Sequence, residues 1–124
     1  MADRKIVTAA RNVSVTATAD GLTTGLIPDY ADYVTVTSAN ADHIVTLPAP
    51  VVGKVIRGYV GANGCEIRTV ASSNVNINGQ DSDGTKEAAI PATTLFELTC
   101  VASTDWILTA ADELGAVITA IVPD

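Results

Sequence analysis

The sequence predicts an all-β protein: an antiparallel jelly-roll-like sandwich or barrel with an extended N-terminal arm. Three observations carry this. The chain is 48% hydrophobic, yet its aromatics are only Tyr30, Tyr33, Tyr59, Phe96 and Trp106, so the core must be built from Val, Ile, Leu and Ala. Val and Ile, with Thr, are stiff at χ1 and pack well on a pleated surface. Short runs with period-two alternation are separated by Gly, Asn, Asp and Pro, the pattern of a sandwich or barrel. No alternation of strand and helix patterns is visible, and no internal repeat. A chain of 124 residues suits one domain. Residues 1–32 read as an N-terminal arm or edge strands, and residues 33–124 as the β-sandwich body.

Ile6-Val7-Thr8 and Val13-Ser14-Val15-Thr16-Ala17 can each form a strand. Residues 20–29 have little periodicity and are punctuated by Gly21, Gly25 and Pro28, which suits an arm lying on another surface. Tyr33-Val34-Thr35-Val36-Thr37 alternates, with both valines on one side. Residues 38–42 are turn material, and residues 43–47 form a strand stopped by Pro48 and Pro50. Residues 54–60 are a strand interrupted by Gly58. Asn63-Gly64 then predicts a hairpin to a strand over residues 65–70, with Glu66 and Arg68 outward. Asn74 to Asn78 is a short strand closing in a second Asn-Gly. The polar stretch from Gln80 to Ala89 reads as an exposed loop. Residues 94–102 alternate, with Phe96, Leu98 and Cys100 on one face. Ser103-Thr104-Asp105 is a tight turn before the strand Trp106-Ile107-Leu108-Thr109. Residues 110–115 allow one helical turn, and residues 116–122 form a last strand stopped by Pro123.

Charge and targeting signals narrow the function. The net charge of −7 disfavours nucleic acid, which demands phosphate neutralisation. The charge is uneven: residues 1–11 carry Arg4, Lys5 and Arg11 against Asp3, whereas residues 81–124 hold eight acids against Lys86. A basic start on an acidic body can dock on an acidic neighbour. No stretch reads as a signal peptide or as the ~20 apolar residues of a membrane span. The expectation is a protein made in a cytoplasm, with no membrane partner and with Cys65 and Cys100 as free, core-facing thiols.

No set of side chains reads as a catalytic or metal centre. His43 is the only histidine and has no Gly-x-Ser-x-Gly elbow to present it a nucleophile. One His and two core-phase Cys do not supply a zinc site. Asp81-Ser82-Asp83-Gly84 resembles the middle of a calcium loop, but Gly79 and Ile90 stand where its first acid and its bidentate Glu belong. Trp106 reads as a core or interface anchor rather than a sugar platform. The expectation is therefore no catalytic residue, no metal and no cofactor.

Ile44-Val45-Thr46-Leu47-Pro48, Gly53-Lys54-Val55-Ile56, Val75-Asn76-Ile77-Asn78-Gly79, Leu95-Phe96-Glu97-Leu98 and Asp105-Trp106-Ile107-Leu108 together resemble small structural proteins of tailed bacteriophages. The likeness is to head decoration (cement) proteins and related fibre β-modules, over residues 43–109. It implies a jelly-roll-like homotrimer on the capsid exterior, clamping neighbouring major capsid proteins, and no catalytic residue. On that reading Arg4, Lys5, Ile6, Val7, Arg11, Leu22, Leu26 and Ile27 form a capsid-binding arm. The alternative is a tail-fibre or receptor-binding module holding a host glycan near Asn74, Asn76, Asn78, Asp81 and Asp83. A small hydrolase is the weakest expectation.

Overall fold

The computed structural model describes residues 11–70, 73–82 and 86–118. The protein is all-β: β1 (Asn12–Thr16), β2 (Tyr33–Thr37), β3 (Ile44–Thr46), β4 (Val55–Val60), β5 (Cys65–Arg68), β6 (Asn76–Ile77), β7 (Gln80–Asp81), β8 (Ala88–Ile90), β9 (Thr94–Ala102), β10 (Asp105–Asp112) and β11 (Val117–Ile118), with one short 3-10 turn at Thr23–Gly25. Two sheets face each other in a sandwich-like arrangement. The larger runs β1-β2-β4-β9-β10-β6-β7, with β11 added to β10; the smaller runs β3-β5-β8.

The strand pairing is mixed rather than antiparallel. β1, β2 and β4 are parallel neighbours in the large sheet, β3 and β5 are parallel in the small one, and β6 lies parallel to β10. Between β1 and β5 the chain alternates between the two sheets and winds as a coil. Asn12 lies beside Tyr33 and Tyr33 beside Arg57 on one side, and Ile44 lies beside Glu66 on the other. Each turn takes roughly 20 residues, a spacing found in coiled repeat folds. Parallel neighbours need a crossover of about a dozen residues or more. Residues 17–32 supply it without an α-helix: Leu26 passes along the small sheet and bridges to Thr46. The antiparallel expectation holds only for the closing half, where β9 pairs with both β4 and β10.

The inward rows run across the coil. Val15, Val36, Val60 and Thr94 are register neighbours, as are Ile56, Leu98 and Leu108. All seven are at most 4% exposed, so one continuous core fills the space between the sheets. A third row reads Val13, Val34, Gly58, Phe96, Ala110. Gly58, read from the sequence as an interruption of its strand, leaves the space that the Phe96 ring fills.

The two Asn-Gly pairs behave differently. Asn78 (φ 54°) and Gly79 (φ 75°) both take the left-handed region and close the β6–β7 hairpin, as a two-residue primed turn requires. The Asn78 amide also continues the ladder. Its oxygen accepts from Leu108 N at 2.8 Å and its nitrogen donates to Leu108 O at 3.2 Å. Replacing Asn78 with Gly keeps the backbone conformation and deletes both bonds, so a loss of about 1–2 kcal/mol is expected in a urea melt. Asn63-Gly64 makes no hairpin, contrary to expectation. β4 pairs with β2 and β9, while β5 pairs with β3 and β8. The turn instead carries the chain from one sheet to the other. Gly64 (φ 74°) has no room for a Cβ, which would lie 2.6 Å from Ile90 O, and Asn63 Nδ2 donates to Ser38 O at 2.8 Å on the previous turn of the coil.

Two more expectations are corrected. The polar stretch from Gln80 to Ala89 contains β7 and the start of β8, and Ser82 and Ala88 are fully buried. Ser82 is tolerated there because its hydroxyl donates to Val75 O and its carbonyl accepts from Thr69 N. β10 continues to Asp112 with no helical turn. The Asp112 carboxylate accepts from Leu114 N and Ala116 N, both at 2.9 Å, and so turns the chain back into β11.

Cys65 and Cys100 are free and buried, each 1% exposed. Burial, with a smaller contribution from the Glu66 charge, pushes the Cys65 thiol up to about 12. Burial raises Cys100 as well. The unfolded chain ionises first, near the ordinary value of 9.0. The stability from keeping the Cys65 thiol neutral is therefore full below pH 9 and is lost as pH rises towards about 12. Thermal melts should fall more steeply over that window in the wild type than in Cys65→Ala. A thiol reagent should leave the native protein unlabelled and modify both cysteines once it is unfolded.

Candidate functional site

The surface features that remain are two exposed faces, and the first lies on the opening turn of the coil. Arg4, Lys5, Ile6 and Val7 lie outside the described residues. Arg11 enters β1 with its Nε 3.3 Å from Asp32 Oδ2, and Lys54 Nζ stands 4.0 Å from the other oxygen. Hydrogen bonds from the Arg11 backbone N–H and guanidinium hold the Asp32 carboxyl below its usual range. Leu22 and Leu26 are 47% and 46% exposed. Ile27 is not available to a partner: it is 3% exposed and sits in the core, with its N–H bonded to Thr46 O at 2.9 Å. Residues 11–32 are thus the edge turn of the body, not a detached arm.

A polar seam fixes this edge. The Asp20 carboxylate accepts from Leu22 N and from Thr18 Oγ1, both at 3.0 Å, and these bonds lower its pKa. Arg68 Nη2 donates to Asp20 O, its Nε reaches Thr46 Oγ1 at 3.5 Å, and its Nη1 lies 3.9 Å from Glu87 Oε1. Thr46 Oγ1 donates in turn to Gly21 O at 2.8 Å. The Arg68 and Glu87 side chains are only 12% and 11% exposed, so the seam braces the corner that holds Leu22 outward. Sequence reading placed Arg68 simply outward, because nothing local to β5 announces a partner on the first turn.

Among the described residues β1 pairs only with β2, and on its other edge Thr16 O accepts from Thr24 Oγ1 at 3.2 Å. Beside that edge lies a groove of about 580 Å³, lined in part by Val13, Ser14, Leu26, Pro28, Pro48 and Val70. An open edge offers backbone N–H and C=O groups to an added strand. The second face is the outer side of the large sheet, where a shallow cleft of about 520 Å³ is lined by residues including Tyr33, Arg57, Leu95, Glu97 and Val117.

Among the described residues no reactive groups are assembled at either face. His43 lies in the turn before β3 and is half-buried. Trp106 is fully buried, and Lys86 Nζ lies 3.6 Å from Asp81 Oδ2. Asp83 lies outside the described residues. Among the described residues no three His, Cys, Asp or Glu side chains are grouped to hold a metal ion. No family model, curated protein or solved structure matches this chain. Among the described residues no helix is long and apolar enough to cross a membrane.

Proposed function

We propose that this chain is a non-enzymatic virion structural protein: a decoration protein on the capsid exterior of a tailed phage, acting as a homotrimer that stabilises contacts between major capsid proteins. The observation that carries the reading is the β1 edge, which has no second strand partner among the described residues and is flanked by a groove and by exposed Leu22 and Leu26; in the sequence the basic residues 1–11 precede it. A capsid segment added to β1 would gain main-chain hydrogen bonds, and the leucines would bury apolar area against the shell. The likeness of residues 43–109 to decoration proteins supports the same role.

The glycan-binding alternative is weakened by where its polar groups are used. The Asn78 amide is bonded to Leu108, and Asp81 faces Lys86. The test is co-sedimentation with phage capsids lacking the protein. Leu22→Asp with Leu26→Asp should bind at least tenfold more weakly while melting near the wild type, since both sites are exposed. Deleting residues 1–10 should also weaken binding. A longer deletion, of residues 1–28, is unsuitable because it removes β1 and the core residue Ile27. Undiminished binding by both variants would overturn the reading.

A further inference from the structure

The outward side of the large sheet presents three register rows: Tyr59, Leu95, Ala111 and Val117; then Arg57, Glu97 and Thr109; then Val55, Thr99 and Ile107. In an ordinary solvated sheet these positions would be mostly polar. Here Leu95 is 51% exposed, Val117 73% and Ile107 38%. Scattered exposed apolar residues are normal, but Leu95, Ala111 and Val117 form one contiguous row along the cleft, which marks an interaction surface. The only charged members of the rows are Arg57 and Glu97, whose Nε and Oε2 are 2.7 Å apart. Both remain substantially exposed, at 65% and 41%.

We infer that this face docks a second copy of the chain, with Arg57 of one copy meeting Glu97 of the next. The occupant follows from charge. The chain carries −7, so most approaches of two copies set acid against acid. The three rows hold one residue of each sign side by side, while Asp105, at the far end of β10, accepts from Gly79 N at 3.2 Å. The rows are therefore self-complementary: a second copy can set its Glu97 against Arg57 and its Arg57 against Glu97, exchanging between copies the pair that each makes within itself. That exchange closes in a two-fold pair or around a ring. The inference rests on the oligomeric part of the proposed function and identifies its contact surface; it does not depend on capsid binding.

Light scattering on the full chain, without capsids, tests it. The wild type should give a multiple of the 12.7 kDa chain mass. Leu95→Asp combined with Val117→Asp should give the monomer mass with an unchanged circular dichroism spectrum, because both sites are exposed. Arg57→Glu and Glu97→Arg should each lose the oligomer when alone. Mixing the two single variants should restore it, because each then supplies the charge the other needs; a pair acting only within one chain would not respond to mixing. A monomeric wild type, an oligomer untouched by Leu95→Asp with Val117→Asp, or no recovery on mixing would overturn the inference. Failure of an oligomeric wild type to bind capsids would instead overturn the decoration role alone.

Discussion

Gly58→Ala should destabilise the protein by about 3 kcal/mol, the upper end of the usual cost of overpacking a core. The cause is steric and not conformational. A Cβ at Gly58 would run into the Phe96 ring and would lie 2.7 Å from Val34 O, a backbone atom of the neighbouring strand. Domains of this size hold about 5–15 kcal/mol in total, so the variant should unfold at clearly lower urea. Trimming the ring tests the mechanism. In Gly58→Ala with Phe96→Leu, the second change should cost less than it does in the wild type, because it relieves the clash as well as removing packing. Strict additivity would show that the ring and the glycine are not coupled.

Trp106→Ala should cost about 3–5 kcal/mol. Trp106 is fully buried where β10 meets β9 and β6, opposite Cys100 and Ile77. Removing it empties the junction at which the parallel β6 strand docks. Its Nε1 has no acceptor among the described residues. Trp106→Phe keeps most of the apolar bulk and discards that unmatched donor, so it should cost much less than Trp106→Ala in the same melt. Equal losses would mean that the indole N–H is bonded after all.

These two positions also show what the sequence disclosed. Period-two alternation marked β2 and β9 to the residue, and it placed Cys65, Cys100, Val34 and Val36 inward, because side-chain direction in a strand is a local property. Strand partnership is not local. Asn63-Gly64 looks like a hairpin, but Gly64 is needed for a close approach to Ile90 O, a contact visible only once β8 packs beside β5. Residues 17–32 look like an arm for the same reason. Their few apolar residues are too sparse for a periodic signal, yet Ala17, Ile27 and Ala31 are buried within the coil. Polarity misled at Ser82, whose burial depends on partners at Thr69 and Val75.

At the candidate site, the sequence singled out Leu22 and Leu26, which are indeed exposed, and Ile27, which is core. It missed the Arg68–Glu87–Asp20 seam, which joins three separate parts of the chain. It also missed the apolar outer face, since Leu95, Ile107 and Val117 are each unremarkable alone and become a patch only through the β9–β10–β11 register.

The most direct test of the central claim is cryo-microscopy of decoration-free capsids incubated with the full chain. The account predicts added density on the outer surface at three-fold positions, with β1 and the Leu22–Leu26 edge against the shell. Bare capsids after incubation, or density that meets the shell only through some other face, would contradict it.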